Sequence, residues 1–260
     1  MTHRGNCILP RTLIELREVN FAIEGRALLK NINLQLHEGE SLALIGPSGS
    51  GKSLLLKLMA GLLEPTGGEI FYGGRPRSSL SSAERLEWSR RQSMLFQRNA
   101  LFDSMSSLEN VIFPQVESRG LDHESASRRA TTTLEAVGLA HAASLYPDEI
   151  SGGMQKRLGI ARAIALEPEL IFYDDPTAGL DPITSRKIIV LIRELQKQAG
   201  GVRSTMVVVT NEMARAYQVA DRIAFMDRGE LLVTGTVPET QAHTDPRVRQ
   251  FIRGETEGPL

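Results

Sequence analysis

The stretch GPSGSGKS at residues 46–53 constrains this chain more than any other part of its sequence. It satisfies the pattern G-x-x-x-x-G-K-[ST] in full. Its glycines let successive backbone N–H groups turn inward around an anion. A helix opening at the lysine adds the positive end of its dipole to the same place. The flanks agree: SLALIG (41–46) is a short apolar run, and from Lys52 apolar residues recur at helical spacing. Gly46, Pro47, Ser48, Gly49, Ser50, Gly51, Lys52 and Ser53 are therefore expected to cradle a nucleotide's phosphates. Lys52 would reach the β and γ phosphates and Ser53 would ligate Mg²⁺.

The remaining pattern supplies a sheet to carry that cradle. Residues 13–21 and 29–40 alternate apolar with polar and lie close together, which predicts an antiparallel β layer. Glycine-bounded 67–74 and SMLFQ (93–97) read as further strands. Residues 106–138 are mostly helical in pattern, with a break expected near Pro114 and Gly120, and 152–166 has helical spacing. ELIFYD (169–174) is apolar without alternation, as a strand buried on both faces is. A helix then runs to about residue 199 and stops at Gly200-Gly201. Residues 204–210 form a second buried strand, and 221–235 read as strand, turn and strand. Strands alternating with helices predict an α/β fold with a mostly parallel sheet core. The N-terminal β layer and a helical subdomain at about 100–165 are added to it. We divide the chain into a leader (1–12), one domain (13–236) and a tail (237–260).

Composition narrows the function classes. The formal net charge is −1, which offers no case for a nucleic-acid partner. The one cysteine, Cys7, rules out a disulfide framework within the chain and makes a cysteine-built zinc site untenable. No run of about 18 apolar residues exists to cross a bilayer. The leader has no apolar segment of the signal-peptide kind. His37, His123 and His141 show no ligand spacing and read as surface residues.

The stretch YDDPTAGLDP (173–182) places two carboxylates at the end of a buried strand. Paired with the cradle, Asp174 is expected to hold Mg²⁺ from the strand beside it, since that hard ion needs few protein oxygens when phosphates are present. Asp175 is then the candidate base for water. Further on, ISGGMQKR (150–157) has an N-capping serine and two glycines that allow close approach to an anion.

These motifs, with Phe96-Gln97 and AGLD (178–181), stand in an order that resembles the ATP-binding cassette (ABC) domain over about residues 13–236. The resemblance implies ATP as the nucleotide and a head-to-tail homodimer with two ATP molecules between subunits. It implies that Ser151, Gly152 and Gly153 contact the ATP held by the other copy, and that Asp181 crosses the interface. Gln97 would link metal and water to a membrane permease, and the apolar loop at Leu101 and Phe102 would receive part of that permease. The segments GGM (152–154), GLDPIT (179–184) and the end DPRVRQFIRGETEGPL (245–260) are similar to the ATP-binding subunits of Mla (MCE-type) phospholipid transporters. That implies a peripheral protein on the cytoplasmic face of the inner membrane, with an MCE-type lipid-binding protein and an accessory subunit in the complex. An importer for another apolar compound is the runner-up.

Three positions depart from the ABC pattern. Asp175 stands where Glu is usual, Asn211 where a switch histidine is usual, and Ile23 where an aromatic stacks on adenine, with Phe21 expected in the core. Asp is one methylene short, and Asn cannot become cationic. Slower hydrolysis, or an ATP-dependent clamp that hardly hydrolyses, follows as the rival reading; Glu212 beside Asn211 reads as a helix-start acid. The tail's Val248, Phe251 and Ile252 fall at helical spacing, and that face is expected to dock on the twin subunit.

Overall fold

Runs that are apolar on both faces form the central strands of the protein, which we describe from a computed structural model for residues 11–198 and 203–260. Cys7, nearly all of the leader and the Gly200-Gly201 helix stop lie outside the described residues. In chain order the first elements are β1 (Thr12–Ile23), β2 (Arg26–His37), β3 (Ser41–Ile45), α1 (Lys52–Met59), β4 (Gly67–Tyr72) and β5 (Arg75–Pro76). Then come α2 (Ser82–Arg90), β6 (Gln92–Leu95), α3 (Ser107–Arg119), α4 (His123–Ala136) and α5 (Gly152–Ile164). The rest are β7 (Leu170–Asp174), α6 (Pro182–Gln198), β8 (Thr205–Val209), α7 (Met213–Val219), β9 (Arg222–Asp227), β10 (Glu230–Thr236), α8 (Val237–Gln241) and α9 (Pro246–Arg253).

The larger sheet has six strands in the order β10-β9-β3-β8-β7-β6. All neighbours are parallel except β10 on β9. Every residue of β3, β7 and β8 is buried, as two-sided cover by helices requires. Parallel order sends the loops after β3, β7 and β8 to one carboxyl edge, where open α/β sheets bind ligands. One expectation changes here: the strand ending in Asp174 is not beside the cradle strand, because β8 lies between them. Strand order is set by crossover connections and leaves no mark on a strand's own residues.

The second sheet is antiparallel, in the order β2-β1-β4-β5. Its apolar face packs with α1 on the larger sheet through Leu16, Ile32, Leu36, Leu55 and Met59. Phe21 is in this core, as expected, and Ile23 is 50 % exposed.

Helices α3, α4 and α5 form a second core, with Val111, Ala130, Leu134 and Leu158 reaching Ile171 and Tyr173 of β7. The break at Gly120 is present, in left-handed conformation, but Pro114 does not break α3. A capping box fixes the helix start, with Ser106 accepting from Glu109 N–H and Glu109 accepting from Ser106 N–H at 2.7 Å. Beyond Pro114, buried Gln115 donates from its side chain to Val111 O at 2.9 Å and reinforces the weakened turn.

The tail also differs from expectation. Val248 of α9 is fully buried in the chain's own core, and Phe251 meets Phe225 edge to face with ring centroids 5.3 Å apart. This apolar face is used within the subunit, so docking on a twin is not what buries it. Phe251→Ala is expected to lower unfolding free energy by about 3 kcal/mol, read by denaturant melts of the subunit. A change confined to subunit association would contradict this packing.

Candidate functional site

The cradle is built by three backbone conformations that need glycine. Gly46 (φ 140°), Gly49 (φ 79°) and Gly51 (φ 103°) lie in the left-handed half of backbone space. At Gly46 a Cβ would fall 2.0 Å from Met226 O, so β9 sets how tightly the loop turns. Lys52 is buried and folds back on the loop, donating to Gly46 O at 2.9 Å and Pro47 O at 2.7 Å. Burial pushes its ammonium down to about 8, against the raising influence of Asp175 and then Asp174. Such a desolvated cation gains strongly from phosphate oxygens.

Ser53, in the first turn of α1, donates its hydroxyl to Asp174 Oδ1 at 2.7 Å. The strand end and the helix start thus converge on one point with two hard oxygens. That donor set suits Mg²⁺, which takes one or two protein oxygens together with phosphates and water. Among the described residues no group of three or more His, Cys, Asp or Glu could hold a metal unaided.

Asp175 follows at φ 46°, a left-handed position that Asp tolerates better than most residues. Its N–H bonds Val209 O at 3.2 Å, tying the turn to the end of β8. Burial raises its carboxyl above the usual range, opposed by the charges of Arg215 and Lys156, with Asp174 and Glu212 adding to the rise. Asn211 is exposed at the same edge, just past β8.

Gln97 is exposed after β6, and its carbonyl accepts from Lys156 Nζ. Lys156 is buried on α5, its ammonium lowered by desolvation while Asp175 and Asp174 pull the other way. Sequence reasoning passed over Lys156 and Arg215, since a cation on a helix ordinarily reads as solvated. The available signals were position within the buried face of α5 and one helical turn after Asn211.

Ser151 caps α5, accepting from Met154 N–H at 3.3 Å. Ser151, Gly152, Gly153, Gly179 and Asp181 line one concavity, and no residue of 46–53 lines it. The chain therefore carries two anion-ready surfaces that it does not bring together. Asp181 also caps α6 locally, its Oδ1 accepting from Ile183 and Thr184 N–H at 2.9 and 3.0 Å.

A separate groove runs between the two cores, lined by Leu62, Leu86, Phe96, Pro114 and Arg162. Gln92 Oε1 and Ser93 Oγ, at its floor, have no hydrogen-bond partner among the described residues. Phe102 lies nearby, 40 % exposed, edge-on to Phe113 and under the Arg162 guanidinium.

Comparison with known proteins gives consistent findings. The family model described as "ABC transporter" matches residues 29–178. The Escherichia coli protein named intermembrane phospholipid transport system ATP-binding protein MlaF is 40% identical over 248 residues, covering 95% of this chain and 91% of its own. The methionine import ATP-binding protein MetN of Carboxydothermus hydrogenoformans is 38% identical over 244 residues, covering 92% of this chain and 71% of its own. A dimeric structure of the ATP-binding cassette MJ0796 bound to ADP and Pi aligns with a TM-score of 0.77 and 33% identity, covering 86% of this chain and 99% of that one.

Proposed function

The chain belongs to the ABC transporter family and is an ATP-binding ATPase subunit, and on that premise we propose that it drives phospholipid transport. In this reading it works as a head-to-tail homodimer under a separate integral-membrane permease, at the cytoplasmic face of the inner membrane. An MCE-type lipid-binding protein and an accessory subunit complete the complex. No described helix is long and apolar enough to cross a membrane, so the permease would be another chain.

The observation that carries the mechanism is the separation of the two anion-ready surfaces. The cradle grips the phosphates from one side, and the concavity at Ser151 shares none of its residues. A second copy, turned head to tail, presents that concavity to the γ-phosphate. Lys52 would leave the carbonyls of Gly46 and Pro47 for the β and γ oxygens. Ser53 and Asp174, with Gln97 alongside, would hold Mg²⁺, which when bound neutralises charge on the phosphates. Asp175 would take the proton of the attacking water. Asn211 would donate its amide N–H to a γ-phosphate oxygen. With Oδ1 committed to α6, Asp181 has Oδ2 for a contact across the interface. The groove at Leu62 and Leu86, with Phe102 nearby, would seat the permease's cytoplasmic helix.

MlaF and MetN differ by only two percentage points of identity to this chain (40% against 38%), so identity alone does not choose the cargo. The fuller coverage of MlaF and the tail residues 245–260 favour a phospholipid. The test is the complex, purified through a tag on this chain and reconstituted in vesicles holding labelled phospholipid. ATP is expected to move label between the vesicle and the MCE-type protein, while a non-hydrolysable analogue does not. Movement of a sterol but not phospholipid would favour the importer reading instead.

A further inference from the structure

Arg215 lies in the first turn of α7, and only 13% of its side chain is exposed. Its guanidinium reaches two elements at once. Nε pairs with Glu212 Oε2 at 2.7 Å, and Nη1 donates to Thr177 Oγ1 at 2.5 Å. The Glu212 contact is half in solvent, where an ion pair contributes little. The Thr177 contact is different. Thr177 is 1% exposed, and a buried hydroxyl left without its partner is costly. The buried arm of the fork is therefore the one that matters.

Thr177 belongs to the turn that Asp175 opens. Ala178 N–H donates to Asp175 O at 3.1 Å, and Leu180 N–H to Thr177 O at 3.2 Å. Asp175 holds a left-handed backbone there, which persists only where surroundings enforce it. Glu212, the other arm's partner, directly follows Asn211. One side chain thus spans from the turn carrying the base to the segment carrying the γ-phosphate contact.

We propose that Arg215 is a positioning residue for ATP hydrolysis, clamping the Asp175–Thr177 turn to the Asn211–Glu212 segment so that Asp175 and Asn211 face one γ-phosphate. The proposal rests on Asp175 being the base. The two partners sit on different nitrogens of the planar fork, so a lysine, with its donors gathered on one nitrogen, would hold both less well. Nη2 makes no hydrogen bond among the described residues and remains available on the same side chain.

The test uses the intact complex purified through a tag on this chain, with kcat, KM for ATP and unfolding midpoint measured for each variant. Arg215→Ala is expected to lower kcat about tenfold with KM held within about twofold, since it loosens geometry rather than binding. Arg215→Lys should recover part of the loss. Thr177→Val should lower kcat to a similar degree, and the double variant should be no worse than either, as coupled neighbours require. Additive losses, an unchanged kcat in Thr177→Val, or a rise in KM at constant kcat would each overturn the clamp. If Arg215→Ala does not fold, Arg215→Lys and Thr177→Val decide by the same readouts. Asp175→Asn separates the underlying reading: if it turns over normally, Asp175 is not the base, whatever the Arg215 variants do.

Discussion

Replacing Lys52 with alanine is expected to reduce ATP turnover by about 10³-fold, the scale of losing one preorganised donor to a developing charge in a dry site. The ammonium is already desolvated, so little of its charge is screened before phosphate arrives. In the structure it rests on two backbone carbonyls, which are weak partners beside a triphosphate. Lys52→Arg is not expected to rescue, because a planar fork does not fit where one nitrogen sits between Gly46 O and Pro47 O. The sign for stability is the opposite of a usual loss. A base whose pKa falls on folding weakens the fold while it is charged, at all pH values below its folded pKa of about 8. The unfolding midpoint without nucleotide should therefore hold or rise in Lys52→Ala, while the added stability seen with ATP disappears. Thermal melts with and without ATP separate these effects. Loss of the midpoint in the nucleotide-free protein would show that the lysine holds the loop rather than the phosphates.

The parts of the molecule legible in sequence are those with a local physical cause. The cradle and β3 could be read because glycines, an apolar run and a helix start sit within a dozen residues. Strands β7 and β8 could be read because two-sided burial forbids alternation. The Ser151 cap was legible for the same local reason. What was not legible depends on distant partners. Asp174 reaches Ser53 across an intervening strand, and nothing in either segment encodes that order. Pro114 reads as a helix breaker, yet the capping box before it and Gln115 after it keep α3 continuous. The amphipathic face of α9 looked unpartnered because β9, which supplies Phe225, is separated from it by two elements. Lys156 and Arg215 were hidden most completely, since their partners, Gln97 after β6 and Thr177 after β7, are distant in sequence.

Replacing Asp175 with Glu and Asn211 with His is expected to raise the turnover of the complex, not leave it level. One methylene moves a carboxylate by over ~1 Å, and a misplacement of that size can cost on the order of 10²-fold in rate. Three features of the structure bear on whether the shortfall has been compensated. The left-handed backbone at Asp175 favours Asp over Glu, but only by a fraction of the roughly 1–3 kcal/mol that such positions cost in all. Burial raises the carboxyl, which makes it a better proton acceptor per ionised group, and the charges of Arg215 and Lys156 oppose that rise. Neither feature lengthens the arm. The third is Asn211, which is exposed and makes no side-chain hydrogen bond among the described residues, so His can enter there without breaking one. Distance therefore outweighs the compensations, and Asp175→Glu alone should raise kcat about tenfold or more. Asn211→His should add a smaller factor through its cationic form, greatest below about pH 6.5 where imidazole is protonated. Single-turnover measurement on the complex distinguishes this gain from faster product release. If neither replacement raises the single-turnover rate, Asp175 already reaches the water, and the turn held by Arg215 has moved forward by the missing methylene.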